Sequence, residues 1–215
     1  MKTASTEATT LLYDMLKDTP ELEKCYKSIE AAFFVICESY KNKGKLLVCG
    51  NGGSAADSEH IVGELMKGFL KKRQIPDKDR DVLLSLYDDG SYLAGCLQQS
   101  LPAISLISQT SLSTAYANDV AYERVFAQQV YGYGLKGDVL LGLSTSGNAA
   151  NVCNAARIAK AFGIKTIGMK GNREGLLDSI CDVVISVPSY KTYRIQELSA
   201  IVYHALCAAL EEEFF

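Results

Sequence analysis

The chain has only two histidines, His60 and His204, and each shares a helical spacing with an oxygen donor. His60 and Glu64 are four residues apart, so on a helix they lie on one face. Gln196 and His204 are eight apart, about two turns, and fall on one side in the same way. Imidazole, carboxylate and amide donors brought together would suit a divalent transition metal such as zinc. Without a metal, Glu64 and His204 can act as base and acid. Each residue also has a plainer reading. His60 and Glu64 make an ordinary helix-face ion pair, His204 is a half-buried ring satisfied by a neighbour, and Gln196 is a surface amide.

Two further segments combine glycine with hydroxyl and amide side chains. Cys49-Gly50-Asn51-Gly52-Gly53-Ser54-Ala55-Ala56-Asp57 follows an apolar run and opens a helical pattern. Its glycines let the backbone turn tightly and approach a ligand, while helix-start N–H groups and the Ser54 hydroxyl can donate to an anion. The spacing also satisfies G-x-G-x-x-A, the relaxed dinucleotide fingerprint. The acid that would hold a ribose about 20 residues further on is missing, because Lys67 to Arg73 stand there. No nucleotide cofactor is therefore expected. The second segment, Leu143-Ser144-Thr145-Ser146-Gly147-Asn148, has no lysine after its glycine, so it is not a Walker A loop. It reads as a phosphate cradle that uses no positive side chain. Either turn alone could be a helix cap in a tight bend. Two of them at the carboxyl ends of parallel strands converge on the crevice where open α/β sheets bind ligands, which favours phosphate.

These residues need a scaffold that places strand ends and helix starts side by side. Through about Asn42 the chain reads as helix, with Leu22, Cys25, Tyr26, Ile29, Phe33 and Cys37 at three- and four-residue spacing. After Lys43-Gly44 the period changes. Short apolar runs over 46–49, 103–107, 139–143, 166–169 and 183–187 alternate with helical stretches, one of them from Ala55 to about Phe69. Such runs with crossover helices require a parallel sheet buried on both faces. The expectation is an α/β fold: a three-layer α/β/α sandwich with a five-stranded parallel sheet, N-terminal helices over 1–44, and a long closing helix from Thr192 to about Glu212. No linker or repeat marks a boundary, so 1–215 is expected to be a single domain. Residues 74–100 depart from the rhythm as an insertion. Pro76-Asp77-Lys78-Asp79-Arg80-Asp81 is charged and the stretch after it is too polar for a central strand. A pair of short helices above the sheet, or an extension toward a partner subunit, would account for it.

Composition narrows the class. A chain of 215 residues that is 48% hydrophobic and 22% charged is neither disordered nor a disulfide scaffold. A net charge of −3 leaves no room for the basic stripe that nucleic acid or an anionic membrane would require. No apolar run approaches the about 18 residues of a spanning helix, and the first residues lack the pattern of a secretory signal, so a cytoplasmic location is expected. The seven cysteines are odd in number, dispersed and without a CxxC pair, and are expected to be mostly buried free thiols.

CGNGGSAADSEHIVGEL, LSTSGN and RIQELSAIVYH together resemble the sugar isomerase (SIS) domain family. More narrowly the chain is similar to the phosphoheptose isomerase family, whose members interconvert sedoheptulose 7-phosphate and D-glycero-D-manno-heptose 7-phosphate. Asn118-Asp119 and the Gly137-Asp138 entry to the next apolar run fit the same pattern, and the likeness spans nearly everything outside about 74–100. The resemblance implies an aldose–ketose isomerase that works through an enediolate, as a homotetramer with sites at subunit interfaces. It implies that Asn51, Gly52, Gly53, Ser54, Asp119, Ser144, Thr145, Ser146 and Gln196 contact the sugar phosphate. Glu64 and His204 match the catalytic pair, and His60, Glu64, Gln196 and His204 match the zinc site of some members. Ala149, Tyr193 and Ser199 depart from the residues usual at their positions. Non-catalytic SIS proteins, either adaptors that bind a replication initiator or phosphosugar sensors, are the competing reading. The adaptors lack the catalytic carboxylate and final histidine, whereas this chain keeps both.

Overall fold

A computed structural model describes residues 4–215. Helix α1, Thr6–Leu16, starts at Ser5, whose Oγ accepts the Ala8 N–H at 3.1 Å. Pro20 opens a 3-10 turn, Pro20–Cys25, that leads into α2, Tyr26–Lys41. The expected N-terminal helical part is thus two α-helices hinged at a proline, which lacks the N–H an α-helix needs in its interior. Strand β1, Leu46–Cys49, is followed by α3, Gly53–Met66. The expected insertion forms two short helices, α4 (Asp77–Leu86) and α5 (Gly90–Cys96), closed at the base by an antiparallel bridge between Gln74 and Gln98. Then come β2 (Ala103–Ser105), α6 (Thr110–Tyr116), a π turn (Ala117–Ala121), a 3-10 turn (Tyr122–Arg124) and α7 (Val125–Tyr133). The chain finishes with β3 (Val139–Leu143), α8 (Ala150–Ala161), β4 (Lys165–Gly171), α9 (Leu176–Ile180), β5 (Val183–Val187) and α10 (Thr192–Phe214).

All five strands are parallel, in the order β2-β1-β3-β4-β5. Alternate residues feed two cores. Leu46, Val48, Val139 and Leu141 pack with the helices α1, α2, α3 and α10, while Leu47, Cys49 and Leu140 pack with α7, α8 and α9. Helix α3 therefore leaves β1 toward one face and α8 leaves β3 toward the other. Adjacent strands whose crossovers part in this way define the switch point of a doubly wound sheet.

Three of the differences from the expected boundaries have a local reason. Strand β2 stops at Ser105 rather than Ile107, because the Ser105 hydroxyl takes the Ile107 N–H at 3.3 Å. Helix α3 ends at Met66 rather than Phe69. The N–H groups of Phe69, Leu70 and Lys71 turn instead to the Glu211 carboxylate at 2.8, 2.7 and 3.0 Å. Helix α10 runs on to Phe214, where Glu213 accepts the Ser5 N–H at 2.6 Å and pairs with Lys41. All seven cysteines are free thiols; Cys181 is half-buried, Cys96 is exposed and the others are buried. No helix among the described residues is long and apolar enough to cross a membrane.

Candidate active site

The two serine-rich turns flank the switch point, one at the end of β1 and the other at the end of β3. The first turn is tightened by Gly52, whose φ of +57° suits glycine, and by Gly50, where a Cβ would lie 2.6 Å from the Ser54 carbonyl oxygen. Ser54 is buried and its N–H closes the turn on the Asn51 carbonyl at 3.1 Å. The Asn51 side chain crosses to α8. Its Nδ2 donates to Asn151 Oδ1 at 2.8 Å, Asn151 Nδ2 donates back at 2.9 Å, and Tyr122 Oη donates to Asn51 Oδ1 at 3.1 Å. A cavity of about 300 Å³ opens here, lined by Asn51, Gly52, Ile107, Ala117, Tyr122 and Phe126 among others.

The second turn is wound on itself. Gly147, with φ +70°, donates its N–H to the Ser144 carbonyl, and the hydroxyls of Ser144 and Ser146 accept the N–H groups of Ala149 (3.3 Å) and Asn148 (3.1 Å). Thr145 is half-buried and its carbonyl accepts the Gly171 N–H at 3.1 Å. The buried Lys170 runs beneath the turn, so close that a Cβ on Gly147 would meet its Cδ at 2.7 Å. Its ammonium is held by Asp178 at 3.1 Å and the Arg173 carbonyl at 2.6 Å.

The histidines meet where α3 packs on α10. His60 Nε2 lies 3.2 Å from Glu64 Oε1 and 3.4 Å from His204 Nε2, so the base and acid candidates meet at one nitrogen of one imidazole. Lys67 Nζ holds the other Glu64 oxygen at 3.3 Å. Phe69 stacks on the His204 ring, with centroids 5.8 Å apart. Burial lowers the His204 pKa, as does the neighbouring His60, and Glu64 and Asp57 offset part of this. A neutral His204 ring keeps both a donor and an acceptor. On the far side of His60, the buried Tyr203 reaches Asp57 Oδ1 at 3.2 Å and His60 Nδ1 at 3.3 Å. Burial raises the Asp57 carboxyl, opposed by the Tyr203 hydrogen bond and the two imidazoles.

Two expected site residues stand elsewhere. The Gln196 amide packs on Gly53, where any Cβ would collide with it. That is about two helical turns from His204. Asp119 is exposed on the π turn, its carboxylate accepting from Asn118 Nδ2 at 2.9 Å rather than lining the cavity. Of the expected zinc donors, Glu64 Oε1 and His204 Nε2 both face His60 Nε2, at 3.2 and 3.4 Å, while the Gln196 amide packs on Gly53. Asn151, Tyr122, Lys170, Asp57 and Tyr203 join the site without having been singled out from the sequence. Asp57 carried a signal, since 57, 60 and 64 share a helix face. Tyr203 adjoins His204, and neighbours on a helix point about 100° apart, which hid it.

The SIS domain family profile matches residues 15–85 and 90–171, taking in both turns, His60 and Glu64. A phosphoheptose isomerase of a Nitratiruptor species is 40% identical over 205 residues, covering 94% of this chain and 96% of that protein. Phosphoheptose isomerase GmhA from Neisseria gonorrhoeae has the same fold, with TM-score 0.73 at 31% identity over 93% of this chain and 94% of that one. A phosphoheptose isomerase from Francisella tularensis gives TM-score 0.75 at 26% identity, over 91% of each chain.

Proposed function

The chain belongs to the SIS-domain family and, within it, to the phosphoheptose isomerases, and on that premise we propose that it interconverts sedoheptulose 7-phosphate and D-glycero-D-manno-heptose 7-phosphate. From the ketose, a proton leaves C1 and the C2 carbonyl becomes part of a cis-enediolate. The carbon proton then returns at C2 while the hydroxyl proton passes from O1 to O2. Glu64 moves the carbon proton as a carboxylate base. His204 moves the oxygen proton, a task for a neutral ring that both accepts and donates. The turns at Asn51–Ser54 and Ser144–Ser146 hold the sugar phosphate away from the reacting carbons and fix the open chain in place. Gln196 and Asp119 contact the sugar in the same reading.

The observation that carries it is the single imidazole of His60 standing within 3.2 Å of Glu64 and 3.4 Å of His204, so that base and acid face one locus. The test is turnover of sedoheptulose 7-phosphate by wild type, Glu64→Gln and His204→Ala, with folding checked by circular dichroism. Losses of about 10²- to 10⁴-fold are expected in each variant. Equal rates in all three would remove both residues from the chemistry. A wild type that binds ketose phosphates without turnover is a sensor, and one that binds only a replication initiator is an adaptor.

The same proposal makes the enzyme a cytoplasmic homotetramer with sites at subunit interfaces. The apolar side chains exposed on α4 and α5 (Val82, Leu84, Leu86 and Tyr92) support association. Zinc on His60, Glu64, Gln196 and His204 enters only if the Gln196 amide leaves Gly53. Chelation followed by zinc addition reads this directly, since full turnover by the chelated protein excludes a required metal.

A further inference from the structure

We infer that Lys170 is a positioning residue of the second turn: it braces Ser144–Asn148 from beneath and supplies, without touching the ligand, a positive field for the bound phosphate. The inference rests on the reading of that turn as a phosphate cradle.

A phosphate monoester carries a charge of about −1.5 to −2 at neutral pH. Neither turn holds a lysine or arginine of its own, so hydroxyl and N–H dipoles alone would have to balance it. Lys170 stands near the end of β4, where the Gly171 N–H ties that strand to the Thr145 carbonyl at 3.1 Å. Its side chain runs under Gly147, with Cδ 2.7 Å and Cε 3.7 Å from where a Cβ would stand. The ammonium is one bond further on. Its three protons are matched by three acceptors: Asp178 Oδ1 at 3.1 Å and the carbonyls of Arg173 at 2.6 Å and Gly171 at 3.3 Å. The charge is therefore fixed in place and has no proton left for a ligand.

Burial makes this ion pair lopsided. The Lys170 side chain is 3% exposed and that of Asp178 is 40% exposed. Water screens the carboxylate, whereas the field of the ammonium reaches the turn through low-dielectric protein. A charge held in this way attracts an anion without any reorganisation when the anion arrives.

The same residues set the shape of the turn. Asp178 Oδ2 accepts the Gly175 N–H at 2.7 Å, and Gly175 packs so tightly on Gly147 that a Cβ would lie 2.9 Å from its backbone. The N–H groups of Leu176 and Leu177 then clip Asn148 Oδ1 (2.9 Å) and the Gly147 carbonyl (3.1 Å). Brace and charge are separable, because replacing the Asp178 carboxylate loosens the first and uncovers the second.

The experiment compares wild type, Lys170→Met and Asp178→Asn with sedoheptulose 7-phosphate, by isothermal titration calorimetry and steady-state kinetics, with folding checked by circular dichroism. Methionine keeps an unbranched stem without the charge. Asparagine keeps the size of Asp178 and one acceptor oxygen, at an exposed position that tests the idea even if the buried substitution unfolds the protein. Opposite shifts are expected: Kd and KM rise about 5-fold or more in Lys170→Met and fall about 2-fold or more in Asp178→Asn, with kcat within about 2-fold in both. Weaker binding in both variants would reduce Lys170 to a brace, and unchanged binding in Lys170→Met would remove it from the site; either overturns the inference. So does a wild type that binds no phosphosugar, which takes the cradle reading with it. Opposed shifts in a protein that binds without turnover leave the role of Lys170 standing and sink the isomerase reading.

Discussion

Ser146 separates two roles that one hydroxyl can play. Its Oγ caps the Asn148 N–H at 3.1 Å, and it is exposed where a phosphate would sit. Ser146→Ala is expected to raise KM several-fold for the sugar phosphate at little change in kcat, measured by steady-state kinetics. If the hydroxyl were only a cap, stability would fall by about 0.5–2 kcal/mol and KM would stay put. Asn151 is buried and shares two amide hydrogen bonds with Asn51, so it ties the second turn to the first. Asn151→Leu leaves the Asn51 amide short of partners. A loss of about 0.5–1.5 kcal/mol in urea unfolding is expected, together with a raised KM, because both turns shift relative to one another. At this scale residue type carried the chemistry, and partnership did not show. Asn51 looked like a ligand contact, and its present partner lies a hundred positions away in α8.

Between elements, the Arg73–Glu211 pair holds the end of α3 against α10. Arg73 Nε donates to Glu211 Oε1 at 2.7 Å, and its other nitrogens cap the carbonyls of Leu65 (2.7 Å) and Glu64 (3.1 Å). Both side chains are almost fully buried. Removing one partner leaves a buried charge alone, so Glu211→Ala is expected to cost about 3–5 kcal/mol in denaturant unfolding. The pair also sets an acid limit. Burial pushes the Glu211 carboxyl up, but the N–H groups of Phe69 and Leu70 and the Arg73 guanidinium outweigh it and hold its pKa below the ordinary 4.5. A carboxyl depressed on folding contributes its full stability above 4.5, and that contribution is lost as pH falls below 4.5 and through the lower folded value. Urea midpoints measured from neutral pH down through this window are expected to fall for wild type. In Glu211→Gln they should start lower and fall less steeply. None of this clip was legible beforehand, because a Glu among Glu211-Glu212-Glu213 reads as a solvated helix end until α3 is seen to stop against it.

For the molecule as a whole, the α4–α5 hairpin decides how much apolar surface the chain leaves open, with Leu86 at 65% and Tyr92 at 71% exposure. If the proposed tetramer buries this face, light scattering is expected to give a tetrameric mass for wild type and smaller species for Leu86→Asp with Tyr92→Asp. A monomeric wild type would refute the association outright. The amino-acid sequence by itself determined the layers: period-changing apolar runs specify β1, β3 and β5 to the residue, and in β1 and β3 every position is buried, so no polar residue blurs their ends. It also determined which residues can do proton chemistry, because side-chain type and helical spacing are local properties. Only the tertiary structure decided which of them meet. Packing α3 on α10 brings His60 to His204 and leaves Gln196 on Gly53, and the contact between two helices depends on their register and crossing, which no spacing within either one contains.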